Sequence, residues 1–284
     1  MRVALLATLL GLLSRPPTPQ GLLYAPPTGS IWDPSCIRIG GRTHCIFMYS
    51  SPAGADHGGY ASGLLATAED GVHFTTVGPV APEAWVGVGF FKAFFAYLGP
   101  DAQGRPLFVM NHGTEGNTTN RPPPSAGDPG CPTDSQCLRW HKSNDLLHWT
   151  PLYTNHPDPS WYTTTGGGSV ARWDAASMMP DPAGAGWLAF PTATVPGRVG
   201  CGAGLMRSPD GLNWSVAKPP SYDWGELGVG TSMELGGVEK IGDRYWMIGG
   251  CGNGGYRSYP HGGDPVSAAE QLPLRLLSEP QRSC

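Results

Sequence analysis

Trp32-Asp33-Pro34-Ser35 is followed, 37 residues after its acid, by Asp70-Gly71-Val72-His73-Phe74. The same two elements return as Trp173-Asp174-Ala175-Ala176 and, 36 residues after that acid, Asp210-Gly211-Leu212-Asn213-Trp214. A third copy of the second element, Asp145-Leu146-Leu147-His148-Trp149, lies between them. Repetition at this period, in a chain rich in turn residues and aromatics, predicts small sheets arranged around an axis. Such symmetry brings equivalent acids toward that axis.

The composition favours one large all-β domain. The chain has 284 residues, of which 42 are glycine and 30 are proline, yet ten Trp, ten Tyr and eight Phe supply ample surface to bury. This combination is typical of many short strands joined by tight turns. The net charge is −4, only 14% of residues are charged and no basic run occurs, so nucleic acid is excluded as a partner. A neutral polar ligand such as a sugar fits this composition better.

Alternating apolar segments of four to six residues, bounded by Gly, Asp or Pro, predict strands that group into blades at about 30–80, 85–155, 165–218 and 230 onward. Each blade begins with an inner strand and a hairpin, and an Asp-containing turn leads to its outer strand. We interpret Asp70, Asp145 and Asp210 as structural residues that cap backbone amides, each followed by an aromatic that packs between blades. No such turn occurs near residue 270, so we expect a propeller truncated within or after its fourth blade.

The N-terminal segment resembles an export signal. Arg2 precedes an apolar run that is too short to span a bilayer, which predicts a signal peptide over residues 1–21 and a propeller domain over 22–284. No other segment is long and apolar enough to cross a membrane. Asn117-Thr118-Thr119 and Asn213-Trp214-Ser215 match the glycosylation sequon. We therefore expect a secreted glycoprotein, not attached to a membrane after signal removal; the sequence does not specify its oligomeric state.

Seven cysteines predict disulfides and not metal sites. Cys36 and Cys45 flank a Gly40-Gly41 hairpin turn symmetrically, which places them on a non-hydrogen-bonded pair with Cα atoms about 4.5 Å apart. Cys131 with Cys137 is expected to close a short loop, Cys201 with Cys251 is a further candidate pair, and Cys284 is left over. The chain has neither paired CxxC units nor an HExxH motif, so we predict no metal and no cofactor.

Asp33, Asp174 and Glu234 form the candidate catalytic set. Glu234 lies eight residues before the hairpin glycine Gly242 and Asp33 seven before Gly40, which suggests the same phase on their inner strands. Converging carboxylates suit glycoside hydrolysis, because one carboxylic acid protonates the departing oxygen while a carboxylate attacks the anomeric carbon or activates water. Like charges held close raise one another's pKa and keep that acid protonated. Trp32 and Trp173 flank two of the acids and are candidates for stacking on sugar rings.

These motifs resemble the five-bladed β-propeller glycosidases, the superfamily of invertases and fructanases, levansucrases, arabinanases and β-xylosidases. Trp32-Asp33-Pro34 is similar to the Asp motif of their first blade, and Arg172-Trp173-Asp174 to that of their third, with one inserted residue. Glu234 corresponds to the Glu of their fourth blade, and Lys142–Trp149 resembles their Ser-x-Asp-Leu-x-x-Trp element. The resemblance covers residues 30 to about 255. The chain departs from the pattern where Ala175 follows the second Asp and Leu235 follows the Glu.

The resemblance implies an enzyme that hydrolyses O-glycosyl bonds of furanoside-type or related sugars, with Glu234 as general acid. Asp33 is then the nucleophile of a retaining enzyme or the general base of an inverting one. Asp174 holds sugar hydroxyls or tunes the pKa of Glu234, with Arg172 as a further binding residue. Two other readings stay open: a secreted sugar-binding propeller without catalysis, and a sialidase-like propeller, suggested by Ser208–Trp214 but lacking an apparent arginine triad and tyrosine nucleophile.

Overall fold

A computed structural model describes residues 24–50, 62–80, 91–115, 130–165, 171–184, 186–197, 201–220, 233–241, 244–251 and 272–273. Every regular element in these ranges is a β-strand. Within them no helix occurs that could cross a membrane. The prediction of an all-β chain is therefore confirmed. The predicted signal peptide, the sequon at Asn117 and Cys284 lie outside the described residues.

Within the described ranges, sixteen strands form four antiparallel sheets. The first contains β1 (Ser30–Ile39), β2 (Arg42–Ser50), β3 (Ser62–Ala68) and β4 (Thr75–Val80); the second contains β5 (Phe91–Pro100), β6 (Pro106–Glu115), β7 (Gln136–Ser143) and β8 (Thr150–Asn155). The third contains β9 (Trp173–Pro180), β10 (Trp187–Thr194), β11 (Cys201–Ala203), β12 (Leu205–Ser208) and β13 (Ser215–Ala217); the fourth contains β14 (Met233–Ile241), β15 (Arg244–Cys251) and β16 (Leu272–Pro273).

The sheets share one plan, in which each strand pairs with the next along the chain. The third sheet differs only because β11 and β12 pair in succession with β10, one on each side of Gly204. The first strands of neighbouring sheets pack together: β1 against β5, β5 against β9, and β9 against β14. These four are therefore the inner strands of consecutive blades, and the predicted grouping of strands into blades is confirmed.

The repeated Asp turns are structural, as predicted. One carboxylate oxygen of each Asp accepts two backbone N–H bonds, from the residues two and three positions later, at 2.8–2.9 Å. The other oxygen bonds the side chain three residues later, which is His73, His148 or Asn213. Asn213 is the asparagine of the second glycosylation sequon, and its side chain holds the turn by donating to Asp210.

The aromatic residue that ends each turn fills an apolar cluster. Trp149 is buried among residues of the first and second sheets, including Ile46, Leu65 and Met110. Trp214 lies between the second and third sheets and stacks on Trp140, with ring centroids 4.8 Å apart. The indole N–H groups of both tryptophans donate to carbonyls of their own turns, Leu146 O and Gly211 O, at 2.8 Å. The second and third turns therefore contribute to the contact between two sheets, whereas Phe74 of the first turn packs within the first sheet, against Phe47 and Ala66.

Two predicted disulfides are present. Cys36 and Cys45 are directly paired across the β1–β2 hairpin with Cα atoms 4.1 Å apart. The turn between them uses Gly40 and Gly41 at φ of 56° and 86°, as the hairpin requires. Cys131 and Cys137 close the short loop before β7. The side chains of Cys201 and Cys251 lie outside the described part of the chain, so their pairing stays a prediction.

Replacing Asp145 by Asn should destabilise the protein in a pH-dependent way. Desolvation raises the pKa of Asp145, but the hydrogen bonds from the His148 amide and ring and the Leu147 amide outweigh it and lower the pKa to about 2. Because this pKa is lower in the folded state, the ionised carboxylate stabilises the fold at pH values above the unfolded-state pKa, which is near 4. The stabilisation is lost as the pH falls through about 2. The side chain is half exposed, so we expect a loss of only about 1 kcal/mol at pH 7.

Chemical denaturation of both proteins at several pH values between 7 and 2 measures this difference. The gap in the free energy of unfolding should narrow below pH 4 and close near pH 2. A gap that keeps its full size at pH 2 would show that the carboxylate charge is not what stabilises the turn.

Candidate active site

A β-bulge near the start of the inner strand shapes each acid position. In β1, Ser35 pairs with Ile46 and Trp32 pairs with Met48, so Asp33 and Pro34 together face one residue of β2. In β9, Ala176 pairs with Pro191 and Asp174 with Thr192, which leaves Ala175 as the extra residue. Counted from these bulges, Asp33 and Asp174 occupy the same position. Bulges re-aim side chains and are frequent next to active sites.

Asp33 stands exposed at the bulge of β1. Its backbone has a φ of 39°, in the left-handed region that few residues other than glycine adopt but that Asp tolerates. Trp32, immediately before it, is 40% exposed and is one of the few large apolar side chains on the described surface. An exposed carboxylate beside an exposed indole can contact a ligand through charge, hydrogen bonds and stacking.

Asp174 is held by donors on both of its oxygens. Its Oδ2 accepts from Arg172 Nη2 at 2.8 Å, and its Oδ1 accepts from the N–H of Ala175, the bulge residue, at 2.7 Å. The Asp174 side chain is 13% exposed and that of Arg172 is 20% exposed. Partial burial and two fixed donors give this carboxylate a defined orientation. Such a group suits the positioning of a ligand.

Glu234 lies on β14, one residue away from the expected position. Gly237 pairs with Ile248 and Leu235 with Gly249, so Gly236 is the bulge residue and Leu235 corresponds to Asp33 and Asp174. Glu234, which pairs with Gly250, corresponds instead to Trp32 and Trp173. The expected equivalence of Glu234 with Asp33 is therefore wrong by one residue. Both β1 and β14 contain one bulge, but Glu234 lies one residue further from its hairpin turn than Asp33 does. The Glu234 side chain lies outside the described part of the structure.

Trp173 cannot stack on a sugar ring, contrary to its assignment as a binding residue. It has no exposed surface, and its ring packs 4.7 Å from that of Tyr162 within the cluster between the second and third sheets. The Tyr162 hydroxyl in turn accepts from Leu205 N and donates to Ala217 O. Trp173 is a core residue, and of the two flanking tryptophans only Trp32 is available to a ligand.

Hydrogen bonds between sheets bring the starts of the inner strands to the same end of the axis. Asn111 of β6, fully buried, donates to Ala176 O at 2.8 Å and accepts from Ala176 N at 2.7 Å. Ser177 Oγ of β9 accepts from Val238 N of β14 at 2.9 Å. Ala176 follows Asp174 by two residues and Val238 follows Glu234 by four. The positions of Asp174 and Glu234 therefore lie near one another along the two strands.

Asn111 was not identified from the sequence. It bonds both backbone groups of the residue that closes the β9 bulge, and so fixes the segment that carries Asp174 against the second sheet. In the sequence it is one polar residue at the end of the apolar segment 106–110, with no motif around it. Its role depends on contact with a strand 65 residues away.

Among the residues that the structure describes, one cluster has the residue types of a metal site. Ligand atoms of Cys131, Cys137 and His156 lie within 4.8 Å of one another. The two sulfurs are joined in a disulfide, however, and therefore cannot bind a metal as thiolates. This cluster lies outside the three acid positions.

Comparison with solved structures identifies the architecture. The GH32 β-fructofuranosidase BmSUC1 of Bombyx mori is similar with a TM-score of 0.52 and 12% identity, over 79% of this chain and 42% of that chain. An exo-inulinase from Aspergillus awamori gives a TM-score of 0.52 and 15% identity, over 80% and 44%. The exo-β-1,3-galactanase 1,3Gal43A from Clostridium thermocellum gives 0.50 and 14%, over 78% and 42%.

The fold is that of the five-bladed β-propeller glycosidases. The chain spans less than half of the length of the three structures just compared. No protein-family model matches the sequence, and no curated protein matches it. At these identities the likeness to the propeller glycosidases concerns the fold alone.

Replacing Asn111 by Leu should destabilise the propeller by about 2–4 kcal/mol, because two buried backbone groups of Ala176 would each lose their partner at about 1–3 kcal/mol. Denaturant unfolding measures the change. Asn144→Leu is the matched control: Asn144 also donates to a backbone carbonyl, Pro106 O, but at a half-buried hairpin where water can replace it. A loss no larger than that of the control would contradict the importance of the Asn111 bonds.

Proposed function

We propose that the protein is a glycoside hydrolase that cleaves O-glycosyl bonds of furanoside-type or related sugars at the end of the propeller axis where the inner strands begin. The observation that carries the proposal is the shared bulge position of Asp33 and Asp174 on the inner strands of the first and third sheets. Glu234 stands one residue from that position on the inner strand of the fourth sheet. The same fold occurs in enzymes that cleave glycosidic bonds.

Glu234 acts as general acid and protonates the departing glycosidic oxygen. Asp33 acts on the anomeric carbon, either as nucleophile or as the base that activates water. Its exposed position beside Trp32 supports this role, because the attacking group must reach the substrate and an indole can support a sugar ring. A separation of about 5 Å between the carboxyl groups of Asp33 and Glu234 gives retention of anomeric configuration, and about 6.5–9.5 Å gives inversion.

Asp174 orients the substrate and does not attack it. Both of its oxygens already accept hydrogen bonds, and the ion pair with Arg172 holds the carboxylate in place. The remaining lone pairs of Asp174 can accept from sugar hydroxyls. Arg172 thus keeps its assignment as a binding residue.

The ligand is a carbohydrate and the place of action is extracellular. Two disulfides are compatible with folding in an oxidising compartment. The low content of charged residues in the chain fits a neutral polar substrate.

Replacing Glu234 by Gln should lower turnover of substrates with poor leaving groups by about 10²–10⁴-fold, because the amide cannot donate the proton. Asp33→Asn should abolish turnover of all substrates. The measurement is hydrolysis of a panel of aryl furanosides and pyranosides by the full chain, with the configuration of the first-formed sugar read by NMR. Binding of the cleaved sugar should persist in both variants.

The control is Glu239→Gln. Glu239 lies on the same strand, five residues beyond Glu234, and pairs with Trp246. This substitution should leave turnover unchanged. If the unmutated chain binds sugars but hydrolyses none of the panel, the propeller is a sugar-binding module and the proposed function is wrong.

A further inference from the structure

The inner strand of the second sheet also has a bulge near its start. In β5, Phe91 pairs with Gly113 and Ala93 with His112, so Lys92 is the extra residue. Counted from the bulges, Lys92 matches Pro34, Ala175 and Gly236 and follows directly the position of Asp33 and Asp174. Lys92 has a φ of 29°, which is uncommon for a residue other than glycine. Two inner strands thus carry an acid directly before the bulge, β14 carries Glu234 one residue further away, and β5 carries a cation at the bulge itself.

Contacts on both sides place Lys92 level with the acids. Its backbone N–H bonds the Sδ atom of Met48 at 2.9 Å, and Met48 pairs with Trp32, the neighbour of Asp33. On the other side, Phe94 pairs with Asn111, whose amide is bonded to Ala176. Lys92 precedes Phe94 by two residues, as Asp174 precedes Ala176. Since β5 packs between β1 and β9, Lys92 lies between the positions of Asp33 and Asp174.

The Lys92 ammonium packs against the ring of Phe94. Its Nζ atom is 5.1 Å from the centroid of the Phe94 ring, within the range of a cation–π contact. The Phe94 ring reaches across to the fourth sheet, where its Cε1 atom lies 4.0 Å from the place that a Cβ on Gly237 would take. Gly237 is three residues from Glu234 on β14. The buried Phe94 ring thus lies near both the Lys92 ammonium and β14, the strand that carries Glu234.

We propose that Lys92 is a positioning residue of the site, whose ammonium balances the charge of Asp33. This inference rests on the proposed function. A glycosidase with these acids works with Glu234 protonated and both Asp ionised, which gives two negative charges. Arg172 and Lys92 supply two positive charges. With Lys92 in place, the two ionised carboxylates, the protonated carboxyl and the two cations together carry no net charge.

Other charged or titratable residues lie on the strands around this site. On the strands packed against β5, they are Asp33 on β1, Tyr49 on β2, His112 and Glu115 on β6, and Asp174 on β9, which Arg172 precedes; Glu234 lies on β14. Arg42 and His44 lie on β2 at the opposite, hairpin end. His112 stacks on His141 within the second sheet, with ring centroids 5.2 Å apart. Substituting Lys92 alone leaves all of these groups in place, so its effect can be separated from theirs.

The test compares Lys92→Met with Lys92→Arg by measuring kcat/KM against pH on the best substrate of the panel. Loss of the positive charge raises the pKa of nearby carboxyls, so both limbs of the bell-shaped profile of Lys92→Met should move to higher pH, by about 1 unit. At the acidic limb this corresponds to about a tenfold loss of activity. Lys92→Arg should restore the profile of the unmutated chain.

Lys142→Met is the control, because Lys142 is exposed on β7; it should leave the profile unchanged. If Lys92→Met lowers the height of the profile without moving its limbs, or if Lys92→Arg fails to restore it, Lys92 has only a packing role and this inference is wrong. An unmutated chain without turnover would overturn the proposed function and this inference together. Normal turnover with an unmoved profile would overturn the role of Lys92 alone.

Discussion

Packing between neighbouring sheets is the constraint on which the rest of the molecule depends. A four-stranded sheet cannot bury its faces alone, so each must find a partner surface on the next sheet. Trp149 and Trp214 supply much of that surface, and each is anchored by a hydrogen bond from its indole to its own turn. The Asp of the turn fixes the backbone that presents the indole. The inner strands are brought side by side as a result, and the candidate site is built where they begin.

Features with short-range causes could be predicted from the sequence. The hairpin disulfide follows from two cysteines placed symmetrically about Gly40-Gly41, and the Asp turns follow from a side chain that bonds amides two and three residues later. The grouping of strands into blades follows from the spacing of those turns. In each case the interacting atoms are close along the chain, so the local pattern specifies the geometry.

The remaining features depend on contacts between distant segments. Trp32 and Trp173 precede their acids in the same way, yet one is exposed and the other is enclosed, because Tyr162 covers only the second. The predicted position of Glu234 is wrong by one residue, because a count from the hairpin turn does not show where a bulge falls. Asn111 and Lys92 lack a motif altogether, and their surroundings come from strands of other sheets.

The Cys36–Cys45 cross-link has a consequence for the strand that carries Asp33. In the first sheet β1 is hydrogen-bonded to β2 alone, so half of its backbone groups have no neighbouring strand within that sheet. The bridge ties this one-sided strand to β2 three residues beyond the acid. Cys36 is exposed, which leaves the bridge open to attack by a soluble thiol. Thiol reagents used during purification would therefore reduce this bridge and weaken the attachment of β1, which carries Asp33, before they affected the other sheets.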